Sequence, residues 1–213
     1  MEFRELAIQD AWEFTPTVFP DERGSFHEFY RFEVLSEAVG HPMVLRQGNM
    51  SVSSKGVARG IHYALVPPGQ AKYVCAPRGA FMDYVIDLRV GSPTFGEWDS
   101  VLLDDVTHRA IYIAEGLGHA LVALTENATV SYMISETYSP TRELAIDLFD
   151  PDIALVLPPG FERPVRSPKD AAAPSLAQAL TADALPTWDS TRTLNAARSE
   201  ETAPRSRELP CEG

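Results

Sequence analysis

The sequence predicts a mainly β protein, an antiparallel sandwich or barrel with a few short helices. From about Thr17 to Leu157 the chain breaks into short alternating runs punctuated by Gly, Pro and Asp, the rhythm of successive strands. Met82, Tyr84, Ile86 and Leu88 occupy one face of such a run, with Phe81, Asp83, Val85 and Asp87 on the other. Val130, Tyr132 and Ile134 alternate in the same way with Thr129, Ser131, Met133 and Ser135. A period of two is the signature of extended chain.

The elements follow in order. Phe32, Leu35 and Val39 are spaced to share one side of a short helix. In the next strand Gln47, Asn49, Ser51 and Ser53 form a polar stripe, with Met50 and Val52 behind it. Such a stripe is either a solvent-facing edge or the lining of a polar cavity; its place just before the following strand favours the cavity. That strand belongs to the string RGIHYALVPPGQAK at 59–72. Alternation sends Ala58, Gly60, His62 and Ala64 to one face, where His62 is the only bulky group and leaves room for a ligand. After the turn at Pro67-Pro68-Gly69, Lys72 opens the next run, with Val74 on its own side. Residues 158–174, rich in proline and charge, read as an irregular arm over the barrel, and Ser175 caps a second helix through Leu176, Ala179 and Leu180. Residues 1–190 therefore read as one domain. The stretch 191–213 reads as a flexible tail, because beyond Leu194 there is too little apolar content to order it.

A chain of 213 residues can build one sizeable core. No apolar run approaches membrane-spanning length, and the N-terminal MEFRELAIQD lacks the basic and apolar regions of a signal peptide. Cys75 and Cys211 sit in unlike surroundings, which points to reduced thiols and a cytoplasmic location. A net charge of −12 argues against a nucleic-acid partner.

The chemistry gathers around His62 and Lys72. A base and a fixed cation facing a hollow are what proton abstraction beside a carbonyl requires. Singly, each has a plainer reading. A strand histidine is usually a hydrogen-bonded structural group, a lysine a solvated tip, and Tyr132 a core aromatic whose hydroxyl has found a partner.

Longer strings decide between these readings: FPDERGSFHEFY at 19–30, RQGNMSVSSKGVARGIHY at 46–63, QAKYV at 70–74, DLRVGSPTFGEWDSVLL at 87–103, EGLGHALVAL at 115–124 and SYMISETYSPTRE at 131–143. Together, and in this order, they resemble the dTDP-4-dehydrorhamnose 3,5-epimerase family of the cupin superfamily, over roughly residues 1–190. The resemblance implies a jelly-roll β-barrel, usually a homodimer, acting on a dTDP-linked 4-keto-6-deoxy sugar and inverting C3, C5 or both. It implies His62 as the base, oriented by Asp170, Lys72 as the cation that stabilises the enolate, and Tyr132 as the acid on the opposite face. It matches Arg59 and His119 to groups near the sugar-diphosphate. Phe19, Arg23, Phe26, Glu28, Gln47, Asn49 and Tyr138 match positions that hold the nucleotide, some of them donated by the partner subunit.

No cofactor is expected. Metal-binding cupins need a His-x-His pair followed closely by Glu; here Ala64 stands two residues after His62, and no Glu precedes Lys72. The site is therefore read as metal-free. The chain departs from the family pattern at Leu148-Phe149-Asp150-Pro151, at Leu157-Pro158 and at His119-Ala120-Leu121. None of these touches a proposed catalytic group. They bear on sugar specificity and would suit an antibiotic deoxysugar pathway. A mono-epimerase, a 3,4-ketoisomerase of dTDP-sugars and a non-catalytic nucleotide-sugar-binding cupin remain the alternatives.

Overall fold

Two antiparallel sheets face each other across an apolar interior in the computed structural model, which describes residues 1–202. The strands are β1 (Glu2–Glu5), β2 (Ala11–Thr15), β3 (Val18–Asp21), β4 (Gly24–His27), β5 (Gln47–Ser53), β6 (Ala58–Ala64), β7 (Lys72–Arg78), β8 (Ala80–Asp87), β9 (Trp98–Asp104), β10 (Ala110–Ile113), β11 (Leu117–Ala123), β12 (Ala128–Ile134) and β13 (Glu143–Ala145). The helices are α1 (Phe32–Val39), α2 (Pro168–Ala171), α3 (Leu176–Thr181) and α4 (Trp188–Thr202).

The first sheet has the order β1-β2-β10-β7-β12-β5 and the second β13-β6-β11-β8-β9; β3 and β4 form a separate hairpin. The crossovers between the sheets give the jelly-roll pattern, and the sheets do not close on one another. The N-terminal strands β1 and β2, which the periodicity analysis does not reach, complete one edge of the first sheet.

Phe14, Phe81, Val85, Leu103, Ile111 and Val130 belong to the main core, each at most 2 % exposed. Burying a side chain of this size contributes roughly 1.5–3 kcal/mol. The second sheet is buried on its outer face as well. There Ile61, Tyr63, Tyr84, Ile86 and Leu88 pack against Ile146, Leu148, Ile153, Leu176 and Ala179 from the C-terminal arm. This is why β8 is apolar on both faces; Asp83 and Asp87, on the inner face with Phe81 and Val85, are fully buried.

The helices arise where the sequence places them. Leu35 and Ala38 bury one face of α1, and Gly40 at φ 79° ends it by donating its N–H to the Ser36 carbonyl. Ser175 and Gln178 form a reciprocal capping box on α3. Ser167 caps α2 with Pro168 in the first turn. Within the irregular arm, that cap fixes Asp170.

Two expectations are corrected. Residues from 191 to 202 are helical rather than a flexible tail. Composition alone misses this because α4 is held by polar and stacking contacts: Arg89 lies 4.5 Å over the Trp188 ring, Thr191 is buried, and Arg198 pairs with the buried Glu115. The rest of the expected tail lies outside the described residues. Strict alternation also fails in β6. Its pairing with β11 shifts register between His119 and Leu121, so that Arg59 and His62 face the same cleft while Ala58 packs with Ile61 and Tyr63. The cause is Gly60, at φ 107°, where any Cβ would stand 2.4 Å from the His119 carbonyl oxygen. Only glycine permits this close crossing.

Candidate active site

At one end of the sandwich β5, β7 and β12 of the first sheet and β6, β11 and β13 of the second enclose a cleft of about 430 Å³, covered on one side by α2. Gln47, Asn49, Arg59, His62, Lys72, His119, Tyr132, Tyr138 and Asp170 all line it. The polar stripe of β5 thus faces a cavity, while Met50 and Val52 behind it are exposed.

His62 projects from β6 and bonds through Nε2 to Asp170 Oδ1 at 2.7 Å. Asp170 is buried. Burial alone would raise its pKa, but the hydrogen bond and charge of His62, with smaller contributions from Gly60 and Ser167, hold it below the usual carboxylate range. An ionised Asp170 accepts a hydrogen bond from Nε2–H, and that tautomer leaves Nδ1 as the nitrogen free to accept a proton.

Directly opposite in register on β11 stands His119. Its Nε2 lies 2.9 Å from Oδ2 of Asp83. Burial lowers the pKa of His119 despite Asp83, and the neighbouring Lys72 and His62 push the same way. The neutral imidazole is favoured.

Lys72 lies on β7 between Ile113 and Ile134 of the flanking strands. Burial drives its pKa down to about 8, with Glu143 and Asp83 recovering part of the loss. At neutral pH it is a poorly solvated cation, which favours any anion formed beside it. Tyr132 projects from β12, where its partner in β5 is Asn49. Its hydroxyl is held protonated, its pKa raised by burial against a small opposing effect of Arg59. His62 and Tyr132 therefore come from opposite sheets, with Lys72 buried nearby.

Further bonds stiffen the walls. Gln47 donates to Asn49 Oδ1 at 2.7 Å and accepts from the Tyr138 N–H at 3.1 Å. Glu143 accepts from Gln70 and from the Ser139 N–H, each at 3.1 Å.

Phe19, Arg23, Phe26 and Glu28 do not reach this cleft. Phe19 and Phe26 are exposed on the β3–β4 hairpin, Arg23 pairs with Asp21, and Glu28 pairs with Arg31. Sequence reasoning missed Asp83, Glu143, Gln70 and Lys169, although Glu143, Gln70 and Lys169 line the cleft. The available signal for Asp83 was a carboxylate inside an otherwise apolar strand. Among the described residues no three His, Cys, Asp or Glu side chains are grouped to hold a metal, and no helix is long and apolar enough to cross a membrane.

A carboxylate-paired imidazole, an opposed phenol and a buried ammonium form the equipment of an isomerase that moves protons beside a carbonyl. Comparison with known proteins gives the particular kind. The family model described as dTDP-4-dehydrorhamnose 3,5-epimerase matches residues 5–178. The dTDP-4-dehydrorhamnose 3,5-epimerase of Mycolicibacterium smegmatis is 51% identical over 188 residues, covering 88% of this chain and 92% of that protein. The rmlC epimerase of Mycobacterium tuberculosis superposes with a TM-score of 0.91 at 46% identity, over 93% of this chain and 100% of that one. ChmJ of Streptomyces bikiniensis, a 3'-monoepimerase in complex with dTDP-quinovose, gives 0.88 at 42% identity, over 92% and 98%. The chain belongs to the dTDP-4-dehydrorhamnose 3,5-epimerase family, and its activity is that of an isomerase.

Proposed function

We propose that the protein inverts C3, C5 or both of a dTDP-linked 4-keto-6-deoxyhexose, with His62 as base, Lys72 as the enolate's counter-charge and Tyr132 as acid. The observation that carries this reading is the origin of His62 and Tyr132 in opposite sheets of one cleft. His62 removes the proton from the carbon beside the C4 ketone, and the electron pair passes to the ketone oxygen. Lys72 stabilises that oxyanion. Tyr132 then gives its proton to the other face of the same carbon. Each turnover leaves His62 protonated and Tyr132 ionised, and exchange with solvent resets both. Asp170 holds the His62 ring and stabilises its imidazolium.

Gln47, Asn49, Arg59 and Tyr138 line the route by which the nucleotide enters, with His119 beside the sugar. In this reading Phe19, Arg23, Phe26 and Glu28 serve the partner subunit's cleft in a homodimer. The support is an exposed hairpin carrying Phe19 and Phe26, together with an open edge strand, β5, that exposes Met50 and Val52. Residues 1–190 form one domain that carries every group given a role in this reaction, and the enzyme works in the cytoplasm, where the Cys75 thiol stays reduced. Inversion at C3 alone is the second reading, favoured by the similarity to a 3'-monoepimerase.

Proton NMR in deuterium oxide separates the two roles. His62→Asn should abolish both deuterium exchange and product. Tyr132→Phe should stop inversion yet leave exchange on the original face, since His62 can return solvent deuterium there. Losses on the order of a hundred- to ten-thousand-fold are expected. Undiminished inversion by Tyr132→Phe, or normal exchange by His62→Asn, would overturn the assignment.

A further inference from the structure

Lys72 sits at the first position of its strand, immediately after a turn, yet the reaction needs its ammonium held to a fraction of an ångström. Besides its pairing with Ile113 and Ile134 of the flanking strands, a cluster just behind Lys72 braces the start of β7. Glu115, two residues beyond the β10 partner of Lys72, is only 1 % exposed. Its Oε1 accepts a hydrogen bond from Ser135 Oγ at 3.1 Å. Ser135 Oγ in turn accepts the N–H of Ala71 at 2.8 Å, and the Ser135 N–H donates to the Ala71 carbonyl at 3.0 Å. Ala71 is the residue before Lys72, and Ser135 the residue after Ile134, its β12 partner. The same carboxylate side chain lies against the turn itself. A Cβ added to Gly69, which has φ 72°, would stand 2.5 Å from Glu115 Cγ.

Glu115 is also where α4 meets this cluster. Arg198 Nη1 pairs with Glu115 Oε1, and the arginine side chain is itself three-quarters buried. Arg198 lies beyond residues 5–178, the stretch that the family model matches. A carboxylate so enclosed would be expensive to keep ionised without a cation beside it.

We propose that Glu115 is a positioning residue for Lys72, locked in place by Arg198, so that α4 is a functional part of the active site's support. This rests on the role given to Lys72 above. Through Ser135 and Ala71 the carboxylate fixes the start of β7, and with it the direction of the Lys72 stem. It also sets Gln70, which reaches from the same turn to Glu143 in the cleft wall. Among the described residues no hydrogen bond joins Glu115, Ser135 or Ala71 to the side chains of Gln47 and Asn49, so binding of dTDP should be independent of the cluster.

The test uses the full chain with three substitutions: Glu115→Ala, Glu115→Gln and Arg198→Met. Solvent deuterium exchange into a dTDP-4-keto-6-deoxyhexose gives kcat and KM, and calorimetric titration with dTDP counts the folded sites. Glu115→Ala should lower kcat by roughly tenfold to a hundredfold, as sub-ångström misplacement does, with KM and the dTDP affinity within about twofold. Glu115→Gln keeps an acceptor for Ser135 and should lose only about threefold, in line with a weakened hydrogen bond; Arg198→Met should resemble it. Should Glu115→Ala fail to fold, the milder pair carries the same comparison.

A merely structural role would reduce the number of dTDP sites and leave kcat per site unchanged, which would overturn the proposal. The decisive control is Lys72→Ala, read over long incubations. In that background Glu115→Gln should cost nothing further, because the group it positions is gone; an undiminished additional loss would refute the route through Lys72. If Lys72→Ala alone kept the full rate, the proposed function of Lys72 would fail instead, and the two failures are thereby distinct.

Discussion

Replacing Lys72 with methionine should stabilise the protein while destroying its activity. The buried lysine has a folded-state pKa of about 8 against an ordinary value of 10.5, burial being the main cause. That gap corresponds to roughly 3 kcal/mol of destabilisation whenever the ammonium is protonated in both states. Because the folded-state pKa is depressed, the unfolded chain binds the extra proton between pH 8 and 10.5, and stability rises with pH across that window. Below about pH 8 the full penalty is present; above about pH 10.5 it has vanished. Methionine has nearly the same length and no charge, so Lys72→Met should gain roughly 3 kcal/mol near neutral pH, or about 6–12 °C in Tm for a chain of this size. The advantage over wild type should shrink to nothing near pH 10.5. Denaturant unfolding of both proteins at pH 7 and at pH 10.5 gives the comparison directly. A mutant no more stable than wild type at pH 7 would refute the argument, as would an advantage that does not depend on pH.

The same lysine sets an alkaline limit on catalysis. Protonated below about pH 8, it loses its charge above, so the pH profile of kcat should fall on that side, and the fall should be absent from whatever residual rate Lys72→Ala retains. Arg89→Met should destabilise by about 3–5 kcal/mol in urea unfolding, because it strands the buried Asp87 that Arg89 holds through bonds of 3.0 and 2.9 Å. Activity should survive EDTA; full loss restored by one divalent ion would contradict the proton-transfer reading. Light scattering at micromolar concentration should find a homodimer, and a fully active monomer would remove the role given to the β3–β4 hairpin.

Much of this architecture was legible because local signals agreed with tertiary demands. Phe32, Leu35 and Val39 marked α1, and Ser175 marked the start of α3 through a capping box that needs only local chain. The stripe Gln47, Asn49, Ser51 was readable as a cavity wall because it precedes the His62 strand. The unread parts depended on distant partners. Arg59 joined His62 on one face because Gly60 crosses close to β11 and shifts the register, which alternation cannot foresee. Asp83 became a partner of His119 because β11 pairs beside β8 and brings the two side chains together on the inner face, a contact between residues 36 positions apart. The helix α4 is poor in apolar residues, and its contacts with Arg89 and Glu115 lie 83 or more positions away in sequence.

The central claim is that this cleft removes a proton beside the C4 ketone and returns one to the opposite face. Its most direct test is incubation of the wild-type protein with a dTDP-4-keto-6-deoxyhexose in deuterium oxide, followed by proton NMR. Deuterium should appear at C3, C5 or both, and at least one labelled carbon should have inverted configuration, which also decides between single and double epimerisation. A substrate recovered without deuterium at either carbon, from protein that still binds dTDP, would contradict the account.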